Sequence, residues 1–82
     1  MDIQLVQGQF SGKDASEIIT KLIEVKIKYH EEKIKLHENE EDLKFRESKI
    51  IRLQNELLET RKFLLKTNNM VSVESTVRIF YK

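Results

Sequence analysis

From residue 14 to residue 67 the chain contains neither glycine nor proline. Across this stretch an apolar or aromatic residue returns at every seventh position: Ala15, Leu22, Tyr29, Leu36, Leu43, Ile50, Leu57 and Leu64. The remaining positions are dominated by Glu and Lys, strong helix formers. A backbone without a breaker and with a sustained seven-residue repeat is restricted to long helices that pack along a seam. The companion seam positions are Ile18, Val25, Glu32, Asn39, Arg46, Leu53 and Thr60, apolar at both ends and polar in the middle. One straight helix would be about 80 Å long and would bury that polar middle.

Charge placement favours a break instead. Lys33, Lys35 and His37 come before Asn39, and Glu40, Glu41 and Asp42 follow it. Cations at the end of one helix and anions at the start of the next suit two separate helix dipoles. Asn39 can cap the second helix, with Asp42 at the third position, while Glu32 and Arg46 sit near the turn, able to reach water or each other. Residues 1–41 carry six Lys/Arg and nine Asp/Glu, and residues 42–82 carry nine and five. Folding the halves together therefore brings opposite net charges close.

The flanks have a different texture. Ile3 and Leu5, two apart with Gln4 between them, signal a short strand that ends near Gly8. Near the other end, Val71, Val73, Val77, Ile79 and Tyr81 alternate with Ser72, Glu74, Thr76 and Arg78. This is the period-2 pattern of a half-buried strand. Ser11 with Asp14, or Asp14 with Glu17, can form a capping box at the first helix. Lys66 suits the C-terminus of the second helix, and Asn68 or Asn69 can adopt a left-handed cap there.

The expected fold class is thus mainly α with short terminal β-strands, β-α-α-β: an antiparallel helical hairpin or coiled coil whose strands pair into a small sheet on oligomerisation. The elements fall at about 2–8 (strand), 14–37 (helix), 38–41 (turn), 42–67 (helix) and 71–81 (strand), forming one domain over 1–82. The strand–helix–helix order resembles ribbon-helix-helix repressors in topology alone. Both helices here are about twice too long, and no Lys or Arg precedes Lys13 in the strand that would read bases.

A chain of 82 residues with 39% hydrophobic and 35% charged residues is too apolar to be disordered and marginal as a lone domain. It has no cysteine, which excludes disulfides, zinc–thiolate sites and thiol nucleophiles. A partner is expected to supply the missing burial. The first helix carries two apolar stripes, Ile18/Leu22/Val25/Tyr29/Leu36 and Ile19/Ile23/Ile27/Ile34, which together cover about half its circumference. One can meet the second helix, and the other needs a sheet or another chain. The candidate oligomer interface comprises Ile19, Ile23, Ile27, Ile34, Ile51, Leu58, Leu65, Val73, Val77 and Ile79. The outward face of the first helix repeats Glu17–Lys21, Glu24–Lys28 and Glu31–Lys35, each worth about 0.2–0.5 kcal/mol to the helix.

Little else points to chemistry. The segment from Gly8 to Asp14 lies between strand and helix, but three residues separate its glycines instead of four, and Asp14 follows Lys13 where a phosphate loop needs Ser or Thr. His30 and His37 are seven apart, about 10.5 Å along one helix, too far to share one metal ion without ligands from elsewhere. No nucleophile elbow surrounds a serine. No catalytic residue, metal ligand or cofactor is expected, and the chain reads as no enzyme. The expected role is self-association, as a dimer or tetramer, or binding of another protein. The alternative is a nucleic-acid-binding dimer that uses Lys44, Lys49, Arg52, Lys62 and Lys66 on the second helix, where Phe45 and Phe63 fall outside the Leu/Ile stripe. No signal peptide and no apolar run of about 20 residues is visible, so a cytoplasmic location without membrane association is expected.

Overall fold

A computed structural model describes residues 1–36 and 39–82. The element order is β1 (Asp2–Phe10), α1 (Gly12–Leu36), α2 (Glu40–Leu65) and β2 (Val71–Arg78). The two helices lie against each other as a hairpin, and β1 pairs antiparallel with β2 in a two-stranded sheet. The sheet therefore closes within one chain, whereas the sequence led us to expect it to form on oligomerisation. The hairpin is the reason: it returns the chain to the end from which it started, so both strands leave side by side.

Local chemistry sets the helix ends. Ser11 caps α1, its Oγ accepting from the Asp14 backbone N–H at 3.1 Å. Of the two candidate capping pairs the first is used, and Asp14 and Glu17 both lie inside the helix. Asn39 caps α2 from an extended backbone conformation, its Oδ1 accepting from the Glu41 N–H at 2.8 Å. His37 and Glu38 of the expected turn lie outside the described residues. The C-terminus of α2 departs from expectation. Lys66 is right-handed and no non-glycine residue has a positive φ among the described residues. The Thr67 hydroxyl instead accepts from the Asn69 N–H at 3.1 Å, a side-chain turn that replaces the left-handed asparagine cap. Asn39→Leu should lower stability by about 0.5–2 kcal/mol through loss of the cap. Denaturant titration checks this, and a stabilised variant would show that the cap contributes nothing.

The sheet contains one irregularity with a purpose. Gln4 pairs with Thr76 and Val6 with Ser75, so Leu5 is an extra residue in a bulge. From Phe10 backwards, the half-buried face of β1 runs Phe10, Gly8, Val6. Without the bulge the next residue on that face would be Gln4. With it, Ile3 comes opposite Val77, and the apolar face continues. Gly8 has φ +152°, in the region that favours glycine, and the Phe10 ring lies 3.6 Å from where its Cβ would stand. β2 ends at Arg78, short of the expected 81. Met1 and Ile79 still exchange two bonds at 2.7 and 2.8 Å, and Arg78 faces Asp2 at 3.8 Å.

The helices approach each other closely where α1 begins. A Cβ at Gly12 would collide with the Leu64 carbonyl and touch the Thr67 methyl. Among the described residues Ala15, Leu53 and Leu64 are the buried apolar ones, and no large side chain is fully buried. The Cα envelope measures 47 × 32 × 14 Å. A thickness of 14 Å leaves room for a single layer, whereas a stable domain packs at least two. Among the described residues no helix is long and apolar enough to cross a membrane.

Candidate interaction surface

The seam between the helices decides which side chains remain free. On α2 the heptad positions face α1: Leu53 and Leu64 are buried, and Leu43, Arg46, Ile50, Leu57 and Thr60 are half-buried. On α1 the buried residues are Gly12, Ala15, Ser16 and His30. Ile19, Ile23, Ile27 and Ile34 lie within about 60° of His30 at 100° per residue, and all four are half-buried. Val25, Tyr29 and Leu36 are exposed, while Ile18 and Leu22 of the same stripe are half-buried.

A polar layer crosses this seam. The Arg46 guanidinium lies 3.0 Å from His30 Nδ1 and 5.7 Å from the Tyr29 ring centroid. Arginine can only donate, so Nδ1 accepts and the imidazole is neutral with its proton on Nε2. The expected partner of Arg46 near the turn was Glu32 or water, but Glu32 is exposed and His30 takes that role. Heptad reading missed this pair because His30 falls one residue after the repeat that contains Tyr29. Charge complementarity does not reveal it either, since both partners can be cations.

Burial, and then the nearby Arg46, Lys26 and Lys49, push the His30 imidazole below its usual pKa of 6.5. The unfolded chain takes up a proton as pH falls through about 6.5, and the folded chain does so only at lower pH. The stability that depends on neutral His30 is complete above that value and is lost as pH falls from it through the folded pKa. The melting temperature should therefore decline from about pH 7.5 to about pH 5.5. His30→Gln, which retains an acceptor for Arg46, should flatten the decline. Equal slopes in the two proteins would remove His30 as its source.

Two exposed strips flank the seam on α2. Ile51, Leu58 and Leu65 each follow a seam residue (Ile50, Leu57, Leu64), so they project about 100° to one side. They are 58%, 53% and 59% exposed. Phe45 and Phe63 each precede a seam residue, project to the other side and are also exposed. The aromatic side is already dressed with cations: Lys49 Nζ lies 5.3 Å from the Phe45 ring centroid, and Lys33 Nζ lies 5.7 Å from that of Tyr29. In the sheet, Val73 is half-buried, while Val77 and Ile79 are exposed.

The five candidate nucleic-acid contacts spread over an arc of about 140° around α2. Lys44, Lys62 and Lys66 fall within about 40° of each other around α2, Arg52 lies about 40° beyond Lys66, and Lys49 about 60° further still. Arg52 Nε is 3.2 Å from Glu56 Oε1. Among the described residues no three His, Asp or Glu side chains converge on a point where a metal ion could sit. The depressions along α2 are open grooves lined by residues such as Ile51, Asn55 and Thr60, or Gln54, Leu58 and Arg61. No protein-family model, curated protein or solved structure matches this chain.

Proposed function

We propose that this protein is a non-catalytic, self-associating helical hairpin that acts in protein–protein interaction or as a structural scaffold. The observation that carries this reading is excess surface. The folded chain exposes 7003 Å², whereas a compact monomer of 9.8 kDa exposes about 5,200 Å². The radius of gyration, 15.3 Å, likewise exceeds the roughly 12 Å of a compact domain of this length. About 1,800 Å² per chain is thus available for burial. Doubled in a pair, it falls in the range of about 2,000–5,000 Å² that obligate homo-oligomers bury. The lone ribbon supports the same reading, because two strands are marginal in water and both edges are open. Association lets ribbons merge and covers the free apolar strips.

Sedimentation equilibrium at low micromolar concentration tests the proposal. The expected result is a dimer or tetramer whose unfolding midpoint rises with concentration. A folded, cooperatively unfolding species of about 10 kDa would overturn it. The nucleic-acid alternative requires oligonucleotide affinity that falls steeply with salt. The Arg52–Glu56 ion pair, which engages one of the five cations, speaks against it.

A further inference from the structure

We infer that the Ile51–Leu58–Leu65 strip of α2 packs antiparallel against the same strip of a second copy of this chain, with a two-fold axis passing near Leu58. This rests on the self-association reading and names the surface that performs it. A two-fold interface must be self-complementary: each residue on one side of the axis meets its mirror position on the other. About Leu58, position 51 mirrors position 65, so Ile51 meets Leu65 of the second copy and Leu58 meets its own equivalent. The three residues span two heptads, about 21 Å of helix, and are almost equally exposed.

The flanking polar residues select the direction. Arg61 and Lys62 lie three and four residues after Leu58, and Asn55 and Gln54 lie three and four before it. An antiparallel pair sets each cation opposite an uncharged amide whose oxygen can accept its hydrogen bond. A parallel pair sets Arg61 against Arg61 and Lys62 against Lys62, which repel. Gln54, Leu58, Arg61, Lys62 and Leu65 already line one continuous groove that can receive a neighbouring helix. The opposite side of the hairpin is less suited to a two-fold. Lys33 and Arg46 lie against its Tyr29 ring and Lys49 against its Phe45 ring, and symmetry would double that positive charge.

The absence of cysteine makes the test direct, since any introduced thiol is the only one in the chain. Leu58→Cys, oxidised at a concentration where the protein is oligomeric, should convert most of the chain to a covalent dimer. Phe45→Cys and Phe63→Cys should remain largely uncoupled. Ile51→Cys and Leu65→Cys should couple efficiently when mixed and poorly alone, and this pair keeps the test valid if Leu58→Cys fails to fold. Leu58→Asp should weaken association tenfold or more by sedimentation. Coupling of Ile51→Cys with itself in preference to Leu65→Cys would overturn the antiparallel arrangement. Coupling at residue 45 or 63, with an oligomeric mass retained and no coupling at 58, would overturn this surface and leave self-association standing. A folded monomer would overturn both.

Discussion

Gly12→Ala is expected to destabilise the protein even though it replaces a poor helix former with the best one. In a helix with free space beside it, the exchange would add roughly 1 kcal/mol of helix stability. Here the new methyl meets the Leu64 carbonyl, a backbone group, together with the Thr67 methyl. Neither helix can yield without opening the end of the hairpin from which both strands depart. Overpacking of this kind costs about 1–3 kcal/mol and occasionally more. For a chain of this length each kcal/mol corresponds to about 4–8 °C in melting temperature. The two effects differ in sign, so a thermal melt decides between them: an unchanged or raised Tm would mean that the close approach at Gly12 is not tight.

Val73→Asp is the second substitution with a large expected effect. Val73 is half-buried and pairs with Gly8, in the apolar face formed by Phe10, Val6, Val71 and Val73. A carboxylate there loses apolar burial and finds no counter-charge in the facing glycine. Burying a neutral polar group without compensation costs about 1–3 kcal/mol, and an unpaired charge costs more, so a loss of several kcal/mol is expected. Thr76→Asp on the opposite, exposed face serves as the control and should cost clearly less, since it gives up strand propensity alone. Urea unfolding of the two variants gives the comparison, and equal losses would mean that the two faces of β2 do not differ in burial. If the ribbon also joins another copy, Val73→Asp will in addition lower the apparent mass at a fixed concentration.

Much of the architecture is legible in the sequence because it follows from short-range chemistry. With no glycine or proline between residues 14 and 67, α1 and α2 can each run to 25 residues or more. The change from Lys33 and Lys35 to Glu40, Glu41 and Asp42 marks where one helix dipole ends and another begins. Asn39 is a recognisable cap. Alternation between Val71 and Ser75 appears directly as alternating burial. The exposed apolar residues of α2, Ile51, Leu58 and Leu65, also follow from the sequence, because they trail the heptad positions by one residue.

Other features depend on how the elements meet. The first helix has two apolar stripes of similar strength, and nothing local says which one turns inward. The rotation of α1 that sets Gly12 against Leu64 also brings His30 to Arg46, and it leaves Val25, Tyr29 and Leu36 outside. The bulge at Leu5 is invisible in β1 taken alone: it exists because Ile3, not Gln4, has to face Val77 of a strand some seventy residues away. Closure of the sheet within one chain likewise follows from the hairpin returning to its starting end. Caps, dipoles and periodicity act over a few residues and can be read in order along the chain. The rotation of a helix about its axis and the register of two distant strands are set by contacts between surfaces, and only the folded chain brings those surfaces together.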